Sequence, residues 1–412
     1  MTSRPPTAPA VYSAPWIIWL SLAQLISWGS VFYTFTLIMG PLEQELGLSR
    51  VQSSLAFSLA LLAEGLMAYP VGRWIDRGHE RAVMTAGSVL AGVCLLLHGM
   101  VTSITAFYVV WTGLGIAMAA VLYTPVFAVV TRRFPNDFRR AIITMTFLGG
   151  LASTVFIPLT AWLIAELGWR HALWCLAALH LLVCVPLHWR LLRHAPRPRT
   201  SMGADTRAHT RTLSHHVLSA PFLMVGAFVV LMMAVTVSLP AHMVSLLREH
   251  HLSEAWVIAI PASIGIVQVL GRLLLYFFER NFDLHLANRL IPALIPVGLL
   301  ALIAAPWLES AHRALVLLFV LVWGMGNGML TIVKGTAIAQ YVNREHVASL
   351  NGALGLPLAL ARAGAPLGLG YLWSPQAGYS VGLWVLLGIS VTGVAALTLA
   401  QRLSTHQQNA MK

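Results

Sequence analysis

Gly72-Arg73-Trp74-Ile75-Asp76-Arg77-Gly78-His79-Glu80-Arg81 is a short charged stretch between two long apolar runs, Val51 to Val71 and Val83 to Met100. About 20 apolar residues of helix cross a bilayer core, so charges gathered between two such runs mark a loop joining two membrane spans. Arginines in a short loop place it on the cytoplasmic side. Gly72 would let a neighbouring helix approach closely. Asp76 is an anion suited to the N-terminus of another helix, where unpaired N–H groups and the macrodipole favour negative charge. The stretch can therefore latch one part of the protein to another, or serve only to hold arginines at the cytoplasmic face.

The rest of the chain repeats this pattern. Its 412 residues are 58% hydrophobic and only 10% charged, with a mean hydropathy of +0.76. That balance suits a bundle of spans and not a soluble domain of this size. Apolar runs of spanning length start near residues 16, 52, 83, 105, 141, 172, 219, 254, 288, 312, 350 and 380. Twelve spans put both termini on the cytoplasmic side. With these spans, 20 of the 26 Lys and Arg fall on the side of residue 76, four on the opposite side and two inside spans. The net charge of +12 is thus topological. No basic run interleaved with aromatics supports nucleic-acid binding.

The expected organisation is a cytoplasmic tail (1–15), six spans (16–192), a cytoplasmic linker (193–218), six further spans (219–401) and a second cytoplasmic tail (402–412). Met1 to Pro15 lacks the basic region and small-residue cleavage site of a signal peptide, so Trp16 is expected to open the first span. The two sets of six echo one another. Leu46-Gly47-Leu48-Ser49-Arg50 opens span 2, His250-His251-Leu252-Ser253-Glu254 opens span 8, and Asp76-Arg77 is answered by Glu279-Arg280. Such duplication, with binding between the halves, is characteristic of secondary transporters. Arg greatly outnumbers Lys, which suggests a GC-rich bacterial genome and hence a bacterial inner membrane.

Gly72, Asp76, Arg77 and Arg81 together resemble the loop between helices 2 and 3 of the major facilitator superfamily. His79 and Glu80 depart from that pattern, and Gly78 falls one place early. The resemblance extends over nearly the whole chain. It implies an all-α membrane protein of twelve helices in two pseudo-symmetric halves, monomeric and without a cofactor. The implied mechanism is alternating access about a cavity lined by spans 1, 4, 7 and 10, with Asp76, Arg77 and Arg81 latching the cytoplasmic side when the protein faces outward.

Ionisable residues inside spans cost a few kcal/mol each, so each is a functional candidate. Glu64 in span 2 precedes Asp76 by twelve residues, roughly 18 Å of helix, which places it near the midplane. Arg272 in span 8 lies roughly 10 Å inside the cytoplasmic end, and Arg362 falls near the middle of span 11. Two planar guanidinium forks at membrane depth suit carboxylates. This arrangement resembles the oxalate and monocarboxylate porters of the superfamily, which implies a small organic anion as substrate. Glu64 is expected either to neutralise Arg362 as a structural pair or to take a proton when substrate displaces it, which would couple transport to protons. Gln24, Trp28 and Tyr33 on span 1, Tyr123 on span 4, His242 on span 7 and Asn327 on span 10 complete the candidate set. His98 and His180 read as satisfied interior histidines, and Lys334 as a snorkelling anchor at the cytoplasmic end of span 10.

Other classes find little support. Cys94, Cys175 and Cys184 lie within apolar runs, without metal-ligand or disulfide spacing. No Gly-Lys-Ser or Gly-Lys-Thr loop is present for a nucleotide. No His-x-x-x-His pair or nucleophile-base constellation suggests metal binding or enzymatic chemistry. Two alternatives stay open. A drug or metabolite exporter of the same fold would not need Arg272, although Ile157-Pro158 lacks the glycines of the superfamily's drug antiporters. A non-transporting sensor or scaffold would be expected to carry an added soluble domain.

Overall fold

The computed structural model describes residues 13–134, 137–193, 218–250, 252–278, 284–342, 350–351 and 353–410. The predicted linker from 194 to 217, most of the first tail and the Glu279-Arg280 echo lie outside these residues.

The described chain is almost wholly helical. α1 (Ala14–Ser27), a π-helical turn (Trp28–Tyr33) and α2 (Thr34–Leu46) follow one another without a break and end at Gly47, whose φ of 62° is readily reached only by glycine. Ser49 and Gln52 then form a reciprocal capping box that starts α3 (Arg50–Asp76). α4 (Glu80–His98), α5 (Ile104–Val121) and α6 (Tyr123–Arg133) come next. The break between α5 and α6 follows from Pro125, which has no N–H to donate to the carbonyl of Val121. α7 (Phe138–Gly150), α8 (Ala152–Leu179), a second π-helical turn (His180–Cys184) and α9 (Val185–Leu191) complete the amino-terminal set.

The carboxy-terminal set is α10 (Ala220–Glu249), α11 (Glu254–Phe278), α12 (Leu284–Ala304), α13 (His312–Tyr341), α14 (Gly355–Leu372) and α15 (Ser380–Ala410). Ser219 caps α10 by accepting from the N–H of Phe222.

Ten helical runs among the described residues are long and apolar enough to cross a membrane, where the sequence predicts twelve spans. The runs expected to start near 141 and 172 are continuous from Thr144 to Leu191, with a turn at Leu151 and a loss of helical geometry at Gly168 (φ 78°, ψ 158°) that separates two helices. α14 is absent from the ten because Arg362, Pro366 and its glycines dilute the apolar residues of an 18-residue helix.

The buried core separates in two. One cluster draws almost entirely on residues between Ile17 and Leu192, the other on residues between Phe222 and Ala400. The sets meet where α3 packs on α14, α7 and α8 on α11, and α2 on α10. At the first of these contacts, a Cβ on Gly65 would lie 2.7 Å from that of Ala359.

Candidate functional site

The charges inside the spans sort themselves by partner. Arg362 grips Glu64 with both arms of its guanidinium, Nη1 donating to Oε1 at 3.2 Å and Nη2 to Oε2 at 2.7 Å. This bidentate pair joins α14 to α3 and sits largely out of solvent. Arg272, on α11, has no carboxylate partner among the described residues. It donates instead to two backbone carbonyls, Nε to Gly328 on α13 at 3.2 Å and Nη1 to Thr146 on α7 at 3.1 Å. Arg272 therefore lies at the contact between the two sets with no counter-charge bonded to it among the described residues. Carbonyl oxygens orient a guanidinium without neutralising it.

The surroundings of Arg272 are aromatic. Its charge acts on the hydroxyls of Tyr33 and Tyr123. Tyr123 packs against Trp28 (ring centroids 5.0 Å) and stacks on Phe127 (5.1 Å), and Trp28 in turn meets Phe32. Trp28 to Tyr33 is the π-helical turn, where one extra residue per turn re-aims the side chains. Gly149 and Gly150 make the room: a Cβ on Gly149 would strike the Tyr123 hydroxyl, and one on Gly150 would press within 3.4 Å of Arg272 Nη1. The buried indole N–H of Trp28 has no hydrogen-bond partner among the described residues. A cation, two phenol hydroxyls and a free indole donor thus stand beside apolar ring faces, a composition suited to the charged head and carbon body of an organic anion.

The other candidates divide. Asn327, half-buried, adjoins the Gly328 carbonyl that Arg272 uses. Gln24 is committed to packing, since its amide donates at 2.5 Å to the Val121 carbonyl that Pro125 leaves free. His242 sits apart from Arg272. Its Nε2 bonds the Pro366 carbonyl at 3.0 Å and its Nδ1 the Tyr379 hydroxyl at 2.8 Å. A carbonyl only accepts, so Nε2 carries the proton and Nδ1 accepts from Tyr379. Arg50 Nη1 also donates to Tyr379, at 2.6 Å, which ties α3 to the loop before α15. Burial pushes the Tyr379 phenol above its ordinary range, so it keeps its proton. Arg50 and Tyr379 are absent from the sequence candidates, because at span ends they look like ordinary interface residues.

His180 has the expected partner, Ser30 at 2.7 Å. His98 does not: it is fully buried among Phe107, Trp111 and Trp169, with neither ring nitrogen hydrogen-bonded among the described residues.

At the 72–81 loop, every described contact stays within the amino-terminal set. Arg81 lies over the Trp189 ring at 3.4 Å and donates to its carbonyl, and Arg132 bonds both Ile75 and Glu80. Arg77 is exposed, and a Cβ on Gly72 would meet nothing within 4 Å, so the close helix approach expected there is not seen in this conformation. Asp76 ends α3, and its side chain lies outside the described residues. Of the described hydrogen bonds that cross between sets, Arg362–Glu64, Thr154–Ala262, Val244–Thr36, His242–Ser54 and Arg50–Tyr379 run from mid-span toward the end opposite this loop, whereas Arg272–Thr146 lies on the loop side of mid-span.

Residues 20–366 match the family described as Major Facilitator Superfamily. Monocarboxylate transporter 13 of Bos taurus is 35% identical over 120 residues, 28% of this chain and 28% of that protein. Its counterpart from Rattus norvegicus is 34% identical over 107 residues, 25% of each. The chain thus aligns with about a quarter of the length of these curated relatives. In overall shape it is similar to a crystal structure of a mutant of the nucleoside transporter NupG, at TM-score 0.75 and 16% identity, covering 94% of this chain and 99% of that one. It is also similar to a bacterial homologue of the human lysosomal transporter Spinster in an inward-facing, unoccupied conformation, at TM-score 0.70 and 18% identity, covering 95% and 98%. At these identities the likeness to the solved structures is one of fold.

Proposed function

The chain belongs to the major facilitator superfamily, and from that premise we propose that it is a secondary transporter of a small organic anion bearing a carboxylate. The observation that carries this reading is Arg272: a cation in a span, at the contact between the two sets, beside aromatic rings and without a carboxylate partner among the described residues. The partial match to monocarboxylate transporter 13 supports the same class.

In this reading twelve helices cross the inner membrane of a bacterium in two halves, 16–192 and 219–401. The arginine-rich 72–81 loop and both termini face the cytoplasm. The two halves rock about Arg272 and present it to each side in turn. The cross-set bonds opposite the loop hold the outer side shut, while Gly72, Asp76, Arg77 and Arg81 stand ready to latch the inner side in the reverse state. Glu64 carries the coupling proton. Protonated, it releases one arm of Arg362 and loosens the joint between α3 and α14. Tyr33, Tyr123 and Asn327 orient the substrate, and His242 belongs to the outer closure.

Uptake into proteoliposomes tests this reading. A radiolabelled carboxylate should accumulate under an imposed inward proton gradient, and Arg272→Gln should abolish that accumulation. Accumulation unchanged by Arg272→Gln would refute it. The wall formed by Trp28, Phe32, Tyr123 and Phe127 favours a second reading, an exporter of apolar compounds. Efflux of lipophilic cations that survives Arg272→Gln would select it.

A further inference from the structure

His242 stands at the joint between the two sets, roughly two turns before the end of α10 that lies opposite the 72–81 loop. It is fully buried, and groups from three other elements hold it. The Pro366 carbonyl of α14 takes the Nε2 proton at 3.0 Å, and the Ser54 hydroxyl of α3 lies 3.5 Å from the same nitrogen. Before α15, Tyr379 donates to Nδ1 at 2.8 Å. The Tyr379 hydroxyl accepts in turn from Arg50 of α3, whose guanidinium lies over the Tyr379 and Trp373 rings at 5.7 and 4.9 Å. The link between the sets is therefore directional: arginine donates to phenol, and phenol donates to imidazole. It requires a lone pair on Nδ1 and hence a neutral histidine.

A proton on Nδ1 removes that lone pair. The imidazolium then meets Tyr379 only as a donor, and the hydroxyl would accept from two cations while its own proton has no other acceptor among the described hydrogen bonds. The charges around the site sharpen the conflict. Arg50 acts electrostatically on His242. Glu43 of α2 is engaged by Arg50 at 3.1 Å and by Ser53. Glu249, on the same helix as His242, accepts from the Trp373 indole at 2.6 Å and the Tyr379 N–H at 3.2 Å. Glu254 of α11 holds Arg248. No carboxylate bonds His242 among the described residues, so an imidazolium in the closed joint lacks a counter-charge, which is costly in a desolvated interior. Water stands close by. Glu249, Trp373 and Tyr379 line a cavity of about 1330 Å³ at this end of the carboxy-terminal set.

We propose that His242 is a proton-binding residue of the outer closure: neutral, it accepts from Tyr379 and ties the two sets together at that end; protonated from outside, it releases Tyr379 and the end opens. The proposal rests on reading that end as the outer closure of an alternating-access transporter, and not on the choice of substrate. A proton from external water adds to the Nδ1 lone pair as the end opens and returns to water as it closes. Only the open state binds this proton, so acid favours opening. With an ordinary histidine pKa in the open state, about 6.5, the ratio of open to closed should rise about tenfold between pH 8 and pH 5.5. The site is separate from Glu64, whose carboxylate is held at mid-span by both arms of Arg362. His242 is a positioning residue, acting through Tyr379 and Arg50 on which side is open.

The test is labelling of full-length protein in proteoliposomes by a membrane-impermeant maleimide added outside, with Cys94, Cys175 and Cys184 replaced by alanine. The probe is Ala241→Cys. Ala241 belongs to α10 but is buried in the amino-terminal core cluster, so it is covered while the sets meet. Each rate is divided by that of Gln376→Cys, on an exposed loop at the same end, measured at the same pH, which cancels the titration of the thiol itself. The expected result is a normalised rate that rises about tenfold from pH 8 to pH 5.5 with His242 present and stays within about twofold in His242→Gln. Glu64→Gln should keep the rise. If His242→Gln does not fold, Tyr379→Phe replaces it and must label fast already at pH 8, with little further rise in acid. A rise that persists in His242→Gln, or none with His242 present, overturns the proposal and leaves the outer closure standing. Labelling of Ala241→Cys as fast as Gln376→Cys at pH 8 would show that this end is not shut, and both would fall.

Discussion

At the residue scale, the cost of a charge in a membrane made the site legible. Glu64, Arg272 and Arg362 stand out of the sequence because each is expensive unless it is used or paired. Sequence left open whether Glu64 pairs with Arg362, and the structure shows the pair. The partners of Arg272 were not legible, because backbone carbonyls of Thr146 and Gly328 have no signature in side-chain identity. Neutralising only one member of the buried pair strands the other charge. Glu64→Gln and Arg362→Gln should therefore each lower stability by about 3 kcal/mol in thermal unfolding, and the double substitution by less than either alone. Glu64→Gln should also abolish proton-driven uptake while sparing substrate exchange. Normal accumulation in that variant would remove Glu64 from the coupling.

At the element scale, helix positions followed from apolar runs, caps and loops, while their exact number and irregularities did not. Gly168 breaks the helical geometry of the run from Thr144 to Leu191, where the sequence expects two spans, and the π-helical turn at Trp28–Tyr33 leaves no periodic trace in a run so uniformly apolar. Close helix approach was legible as glycine content, but the particular contacts depend on the assembled structure. Gly65 faces Ala359 across α3 and α14, whereas Gly335 faces open space. Gly65→Val should destabilise by about 1–3 kcal/mol through overpacking. Gly335→Ala should leave the melting temperature nearly unchanged or slightly raised, since alanine favours helix. Equal effects of the two substitutions would show that the α3–α14 contact is not close.

At the scale of the whole molecule, most of the cross-set bonds among the described residues fall at mid-span or toward the end opposite the 72–81 loop, while the described bonds of that loop stay within its own set. The sequence announces a molecule with two halves, but one set of residues must build every conformation, so which end is shut could not be read from it. Tyr379→Phe removes the hydroxyl that links Arg50 to His242. It should shift the population toward opening at that end, seen as faster labelling of single cysteines placed near the buried face of Thr36 and Val244. Unchanged labelling would assign the link to local packing. The central claim is that Arg272 is an anion-binding cation held between the halves. Its most direct measurement is the melting temperature of purified wild-type and Arg272→Gln protein across a panel of carboxylates and lipophilic cations. Ligand at 100 times its Kd adds about 2.7 kcal/mol of stability. The predicted result is stabilisation of wild type by a carboxylate class and none in Arg272→Gln. Stabilisation by lipophilic cations alone, the same in both proteins, would contradict it.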